Sequence, residues 1–248
     1  MHENESLKKT LIISATLIIL AVILVIAFKN PFARNTISVD GSASVDAMPD
    51  LVGIYFNVET SGDTTEEASN ANSEIVDEMT DSLLALGIKE DEIITQGYNV
   101  YQDYDWVNGN RVERGYKATH SIKVELSTDE TDKIGKVVDA GTDAGAGISY
   151  INFELTQELQ NQYKAQAMQL AAEDAKMKAD AVAEGIGKKA GRLISISTSN
   201  FGYSPWNIYS SGGMDIAEEA VQAKAATTDI QPGEQKIYGQ VTAIFKIK

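Results

Sequence analysis

The stretch Gly185–Leu193, GIGKKAGRL, decides between two folds. As a phosphate-cradling loop, its Gly-Lys-Lys core would make the chain a nucleotide-binding α/β protein. As the end of a helix, it belongs to a layered α+β protein. A phosphate loop needs G-x-x-x-x-G-K-[ST] between a strand and a following helix. Here the residue five before Gly187 is Val182, and the Ser/Thr position holds Lys189. The order of elements is also reversed, with helical periodicity before the stretch and strand alternation after it. A phosphate sits at the positive N-terminal end of a helix, whereas this segment lies at the opposite end. There Lys188 and Lys189 oppose the negative pole, and the glycines stop the helix. The stretch is a helix terminus.

Working outward, Gln157–Gly185 reads as a long helix with an alanine-rich stripe of Ala165, Met168, Ala172, Ala175, Ala179, Val182 and Ile186. Leu193–Ser199 and Lys236–Lys248 read as closing strands, the last with Ile237, Val241, Ala243, Phe245 and Ile247 on one face. At the other end of the domain, Ile37, Val39, Ala43 and Val45 alternate with polar residues, and Val52, Ile54, Phe56 and Val58 do the same. These two strands are expected to form an antiparallel hairpin. Thr64 with Glu67 makes a capping box for a helix carrying Ala68, Ala71, Ile75, Met79, Leu83 and Leu86, stopped at Gly87. Asn108-Gly109 predicts a type I′ hairpin turn. That register sets Asp103 opposite Arg114, Trp106 opposite Arg111 and Tyr101 opposite Tyr116. Its second strand continues with Ala118, His120, Ile122, Val124 and Leu126 on one face. Ser127 and Glu130 predict a second capping box and a short helix, followed by a strand with Ile151, Phe153 and Leu155 inward. The expected fold is α+β, with antiparallel strands in ββαββ-αβ-αββ order and helices packed on the sheet. The connection at about 200–235 is long enough to be functional or disordered, and Met214–Ala226 within it has a helical pattern.

Composition excludes several classes of function. The 248 residues contain no cysteine, which removes disulfides, thiol catalysis and thiolate metal sites. Two histidines, His2 and His120, are too few for a histidine metal cluster. Four of the 21 basic and two of the 36 acidic residues lie in 1–34, leaving 17 against 34 beyond. Such a domain repels phosphate backbones, so no nucleic-acid partner is expected.

Leu11–Phe28, LIISATLIILAVILVIAF, is uncharged over eighteen residues. As a helix it would span about 27 Å, close to a bilayer's hydrocarbon thickness. It is longer than a signal peptide's apolar region and is followed by Lys29 and Pro31 where cleavage would fall. The expected organisation is a short cytoplasmic tail at 1–10, a transmembrane anchor at 11–28, a linker at 29–35 and an extracytoplasmic domain at 36–248.

The search for chemistry is negative. DYDWVNGNRVE departs from a calcium loop at Val107, Asn108 and Arg114. Asp129, Glu130 and Asp132 offer a looser carboxylate group that also reads as a solvated helix start. His120 lies on an apolar face without a Ser-His-Asp pattern around it. No catalytic residue, cofactor or metal ligand is nominated, and the chain is expected not to be an enzyme. The candidates for interaction are Tyr203, Trp206, Ile208 and Tyr209, in a segment rich in Gly, Ser and Pro. Two readings stand for them: anchors for a partner or neighbouring subunit, or side chains that fold back over their own sheet.

The ordered motifs resemble the SIMPL-domain family, which includes the periplasmic immunogenic proteins. ISVDGSA is similar to its first strand through Ile37, Val39 and Gly41, and Pro49-Asp50 to its turn into the second. LGIKEDEIIT carries Gly87, Ile88, Ile93 and Thr95; GYKATHSIKV carries Gly115, Tyr116 and Ala118. GISYINF supplies Gly147, Ile148, Ile151 and Phe153, and AAEDAKMKADAVAEGIG supplies Ala172, Ala175, Lys178, Ala179 and Ala183. Ala43 stands where many members have a second glycine, and Lys188-Lys189 replaces a more apolar link. The resemblance covers about Thr36 to Lys248. It implies an α+β domain exported to the cell envelope, self-association in some members, and no catalytic residues. The expectation is a membrane-anchored, non-enzymatic, extracytoplasmic assembly or interaction module, oligomeric and meeting an envelope partner. The alternatives are a ligand- or cation-binding domain and a carboxylate-based hydrolase.

Overall fold

A computed structural model describes residues 14–20, 35–213, 215–227 and 232–248. The elements run β1 (Thr36–Ala47), β2 (Leu51–Gly62), α1 (Thr65–Ala85), β3 (Ile93–Val107), β4 (Asn110–Ser127), α2 (Ile134–Asp143), β5 (Gly147–Glu154), α3 (Gln157–Gly185), β6 (Ala190–Gly202), β7 (Trp206–Ser210), α4 (Ile216–Thr227) and β8 (Gln235–Ile247). The α+β class with antiparallel sheets stands. The long connection at about 200–235 holds β7 and α4, two elements that the expected ββαββ-αβ-αββ order lacks; the helix falls on the Met214–Ala226 pattern.

The transmembrane part of the expected fold is corrected. Of the 11–28 stretch, only residues 14–20 are described, and they are helical. Among the described residues no helix is long and apolar enough to cross a membrane. The 1–10 tail, the rest of 11–28 and all of the 29–35 linker but Asn35 lie outside the described residues.

The strands form a five-stranded sheet, β3-β4-β2-β5-β7, and a three-stranded sheet, β1-β8-β6. The first two strands are therefore not a hairpin. Their connection is tied to neighbours of β2 instead: Asp50 N–H donates to the Glu154 carbonyl and Thr128 N–H to the Asp50 carbonyl, both at 3.1 Å. The Asp50 carboxylate accepts from Thr156 N–H at 2.7 Å and from its hydroxyl at 2.8 Å, fixing the start of α3.

The chain divides into two compact units. The larger comprises residues 44–167 and 201–239. Strand alternation puts Val52, Ile54, Phe56 and Val58 of β2 on one face with Ile122, Val124 and Leu126 of β4 and Ile148, Ile151 and Phe153 of β5. Met79 and Leu83 of α1, Val137 and Val138 of α2 and Ala223 of α4 cover them. Each large apolar side chain buried here contributes about 1.5–3 kcal/mol. The contact is close: a Cβ on Gly141 of α2 would lie 2.2 Å from the Phe56 ring. Thr64 caps α1 by accepting from Glu67 N–H at 3.1 Å, while the Glu67 carboxylate reaches Asp63 N–H at 2.9 Å. Ser127 accepts from Asp129 N–H, not from Glu130, and opens a 3₁₀ turn before α2.

The type I′ turn forms, with φ of 51° at Asn108 and 80° at Gly109. Trp106 faces Arg111 as expected, but an irregularity between Gln102 and Tyr104 shifts the register beyond it. Tyr101 therefore faces Lys117, and Arg114 pairs with Asp105 at 2.6 Å. Arg111 lies over the Tyr104 ring, 3.2 Å from its centroid.

The smaller unit lies within residues 1–43, 168–200 and 240–248. Ala171, Ala175 and Ala179 of α3 pack on Val241, Ala243 and Phe245 of β8, flanked by Ile37, Val39 and Ala43 of β1. The buried row of α3 is Ala167, Ala171, Ala175, Ala179 and Ala183, whereas Ala165, Val182 and Ile186 of the expected stripe are exposed. The reason is close approach. A Cβ on Gly41 would stand 2.0 Å from the Ala171 carbonyl oxygen, so only the smallest side chains fit along an i, i+4 row. Gly187 adopts φ of 69° and donates to the Glu184 carbonyl, while Lys188 N–H donates to that of Ala183 at 2.8 Å. GIGKKAGRL is thus the helix end that the sequence indicates.

Candidate functional site

The four aromatic-loop candidates are brought to one strand and its approach, all within the larger unit. Tyr203 packs with Ala47, Leu155 and Ile237, and its hydroxyl accepts from Leu155 N–H at 2.8 Å. Burial holds its phenol above the usual value. Trp206 opens β7 opposite Phe153, with ring centroids 5.4 Å apart, and is 39% exposed. Ile208 is half-buried against the main core, and Tyr209 is buried within it. Burial first, then the Glu219 carboxylate, raises the Tyr209 phenol, whose hydroxyl feels Ser211 without forming a hydrogen bond of normal geometry. Three of the four are therefore tied into their own fold. Trp206 keeps an open face on a groove of about 570 Å³ with Pro205 and Tyr238.

Buried Glu219 of α4 holds this region in place. Its carboxylate accepts from Ile148 N–H at 3.3 Å and from the Ser211 hydroxyl. Sequence reading passed over it because an acidic residue in the first turn of a helix looks like ordinary dipole compensation.

A second cluster sits on the sheet face opposite α1, α2 and α4. Lys123 of β4 donates to Glu125 and Glu154, each at 2.7 Å, and the Tyr55 hydroxyl donates to the other Glu154 oxygen at 2.7 Å. Burial pulls the Lys123 ammonium down, but the two carboxylates outweigh it and hold it above its usual value. Burial, then the Glu154 hydrogen bond, raises the Tyr55 phenol. Gly53 leaves room for this network, since a Cβ there would meet Glu154, Tyr55 and Lys123 atoms at 2.8–3.0 Å. No sequence motif signals it: its members come from three strands.

The remaining sequence candidates stay apart. Glu130 pairs with Lys133 at 2.7 Å, and among the described residues no group of three His, Cys, Asp or Glu side chains could hold a metal ion. His120 is half-buried between Tyr98, edge-on at 5.3 Å, and Thr95, whose hydroxyl lies 3.0 Å from its Nε2. Burial lowers its pKa.

The most exposed apolar strand lies in the smaller unit. β6 is an edge of its sheet, and Leu193, Ile194 and Ile196 are 47%, 46% and 46% exposed. Alternation sends Leu193 to one face and Ile194 and Ile196 to the other, so both faces are open. The charged residues just before and within it in the sequence, Lys188, Lys189 and Arg192, are basic in a chain of net charge −15. The sequence marks Leu193–Ser199 as a closing strand but carries no sign of which strands it leaves unpaired.

The chain belongs to the SIMPL family, described as a protein of unknown function (DUF541), whose sequence model matches residues 37–245. Among its relatives, uncharacterized protein YggE of Escherichia coli K12 is 26% identical over 209 residues, covering 84% of this chain and 81% of the relative. The 26 kDa periplasmic immunogenic protein of Brucella melitensis is 25% identical over 226 residues, covering 86% and 84%.

Proposed function

We propose that the chain is a non-enzymatic, extracytoplasmic assembly module of the cell envelope that associates with copies of itself through the β6 edge. The observation that carries this reading is the strand itself. An edge strand with apolar residues open on both faces and no proline is a template for pairing with another chain. A strongly acidic chain repels its own copies, and association is easiest where local charge is basic, as beside β6. The other edge, β1, alternates apolar residues with Ser38, Asp40, Ser42 and Ser44, so a β6 edge meeting β1 of a second copy joins a basic strand to an acidic one. The periplasmic character named in the Brucella relative supports the extracytoplasmic location.

Light scattering on the full chain tests the reading. The expected result is a discrete oligomer that becomes monomeric in Ile194→Lys/Ile196→Lys with an unchanged circular-dichroism spectrum. A monomeric unmodified chain refutes self-association. An oligomer that survives the β6 changes but dissociates in Trp206→Asp moves the interface to β7.

A further inference from the structure

We propose that the outward face of the five-stranded sheet carries a binding groove for a neutral saccharide. The groove, about 280 Å³, is lined by Gln96 and Gly97 of β3, Ser121 of β4, Tyr55 of β2 and Ser149 and Tyr150 of β5. It therefore crosses four adjacent strands, about 14 Å at the ordinary strand spacing, which is room for more than one sugar ring.

Each part of the lining suits a ligand with a flat C–H face and a rim of hydroxyls. The Tyr55 and Tyr150 rings are stacked, with centroids 4.1 Å apart and planes at 26°. Tyr55 backs Tyr150, which is 37% exposed and gives an apolar platform with a polar tip. Gln96 supplies an amide that both donates and accepts, and the two serines supply hydroxyls of the same kind. The platform is held before any ligand arrives: the Tyr55 hydroxyl is fixed on Glu154, whose other oxygen is fixed by Lys123. Pre-organisation of this sort lowers the ordering cost of binding. The floor is open because β3 shifts register between Thr95 and Gly97, and a Cβ on Gly97 would meet nothing within 4 Å.

The same residues argue against other ligand classes. The lining offers no cationic side chain for a phosphate or carboxylate, and the net charge of −15 repels polyanions. It offers no carboxylate to an amine, because Glu154 and Glu125 are both engaged by Lys123. A quaternary ammonium needs several aromatic faces around it, whereas Tyr55 stacks on Tyr150 and has the Lys123 ammonium 5.4 Å from its ring centroid, which leaves Tyr150 alone.

The experiment is saturation-transfer difference NMR on the full chain with three neutral probes, cellotriose, maltotriose and N-acetylated chitotriose. Choline and a sulfated oligosaccharide serve as charged comparators. The expected result is transfer to the ring C–H protons of at least one neutral probe, with affinity weakened about tenfold in Tyr150→Ala, the loss of one aromatic contact. Tyr150→Phe keeps binding, and Gly97→Leu, which adds a side chain to the lining where a Cβ meets nothing within 4 Å, abolishes it. Thermal melts of each variant confirm that the fold is intact, and Gly97→Leu provides the test if Tyr150→Ala fails to fold. Absence of transfer to every neutral probe overturns the proposal. So does binding that persists in Gly97→Leu, or binding confined to the charged comparators.

Discussion

Lys123→Met isolates the value of the network on the outward sheet face. The Lys123 and Glu154 side chains are each 11% exposed, so the pair lies almost out of water, while Glu125 at 28% is partly solvated. Removing the cation strands the Glu154 carboxylate with the Tyr55 hydroxyl as its remaining side-chain donor. Breaking a buried pair costs about 3–5 kcal/mol, and the surviving Tyr55 donor puts this case near 3 kcal/mol. The partly exposed Glu125 contact adds less than about 1 kcal/mol. At about 2–4 °C per kcal/mol for a unit of this size, Tm should fall by about 6–12 °C. Lys123→Met/Glu154→Leu removes both charges and should recover to within about 1 kcal/mol of the parent, because an apolar pair needs no compensation. Urea titrations and thermal melts of the four proteins in the cycle measure this. A single variant that loses less than about 1 kcal/mol, or a double variant no more stable than the single, refutes the reasoning. The pH dependence has a definite sign. Lys123 and Tyr55 both have raised pKa values in the folded state. Above the unfolded values, about 10 for both, the folded state binds more protons than the unfolded one, so stability falls as pH rises. The parent's advantage over Lys123→Met should hold from neutral pH to about pH 10 and decline beyond it.

Two further outcomes are expected. Gly41→Ala should cost about 1–3 kcal/mol or more in urea titration, because the new Cβ meets the α3 backbone, which cannot yield as a flexible side chain would. Gly97→Ala, with open space around it, should change stability by less than about 0.5 kcal/mol; equal effects at the two glycines would disprove the close-approach argument. Burial lowers the His120 pKa, so its contribution is complete above the unfolded value of about 6.5 and is lost as pH falls from there through the folded value. Melts between neutral pH and pH 4 should show that decline, and His120→Phe should flatten it; an unchanged slope in the variant contradicts the assignment.

Periodicity and turn chemistry were legible from the residues because they act over a few positions. The alternation of β2, β4, β5 and β8 names side chains that are buried, and Asn108-Gly109 and Gly87 adopt the positive φ their turns require. GIGKKAGRL ends a helix because a strand follows it and no hydroxyl follows its lysine. Partnership between distant segments was not legible. Strands β1 and β2, three residues apart, enter different sheets, because Asp50 bonds to Glu154 and Thr156, about a hundred residues away. The hairpin register slips past Gln102 at an irregularity that the turn residues do not encode. On α3 several apolar stripes compete in the sequence, and the one that is buried is chosen by Gly41, which admits only alanines. The outward groove and the Lys123 network have no signature at all, since four strands contribute a residue or two each. Local order follows from neighbours along the chain, whereas sites form where strands meet, and which strands meet is settled by burial and hydrogen bonding across the whole fold.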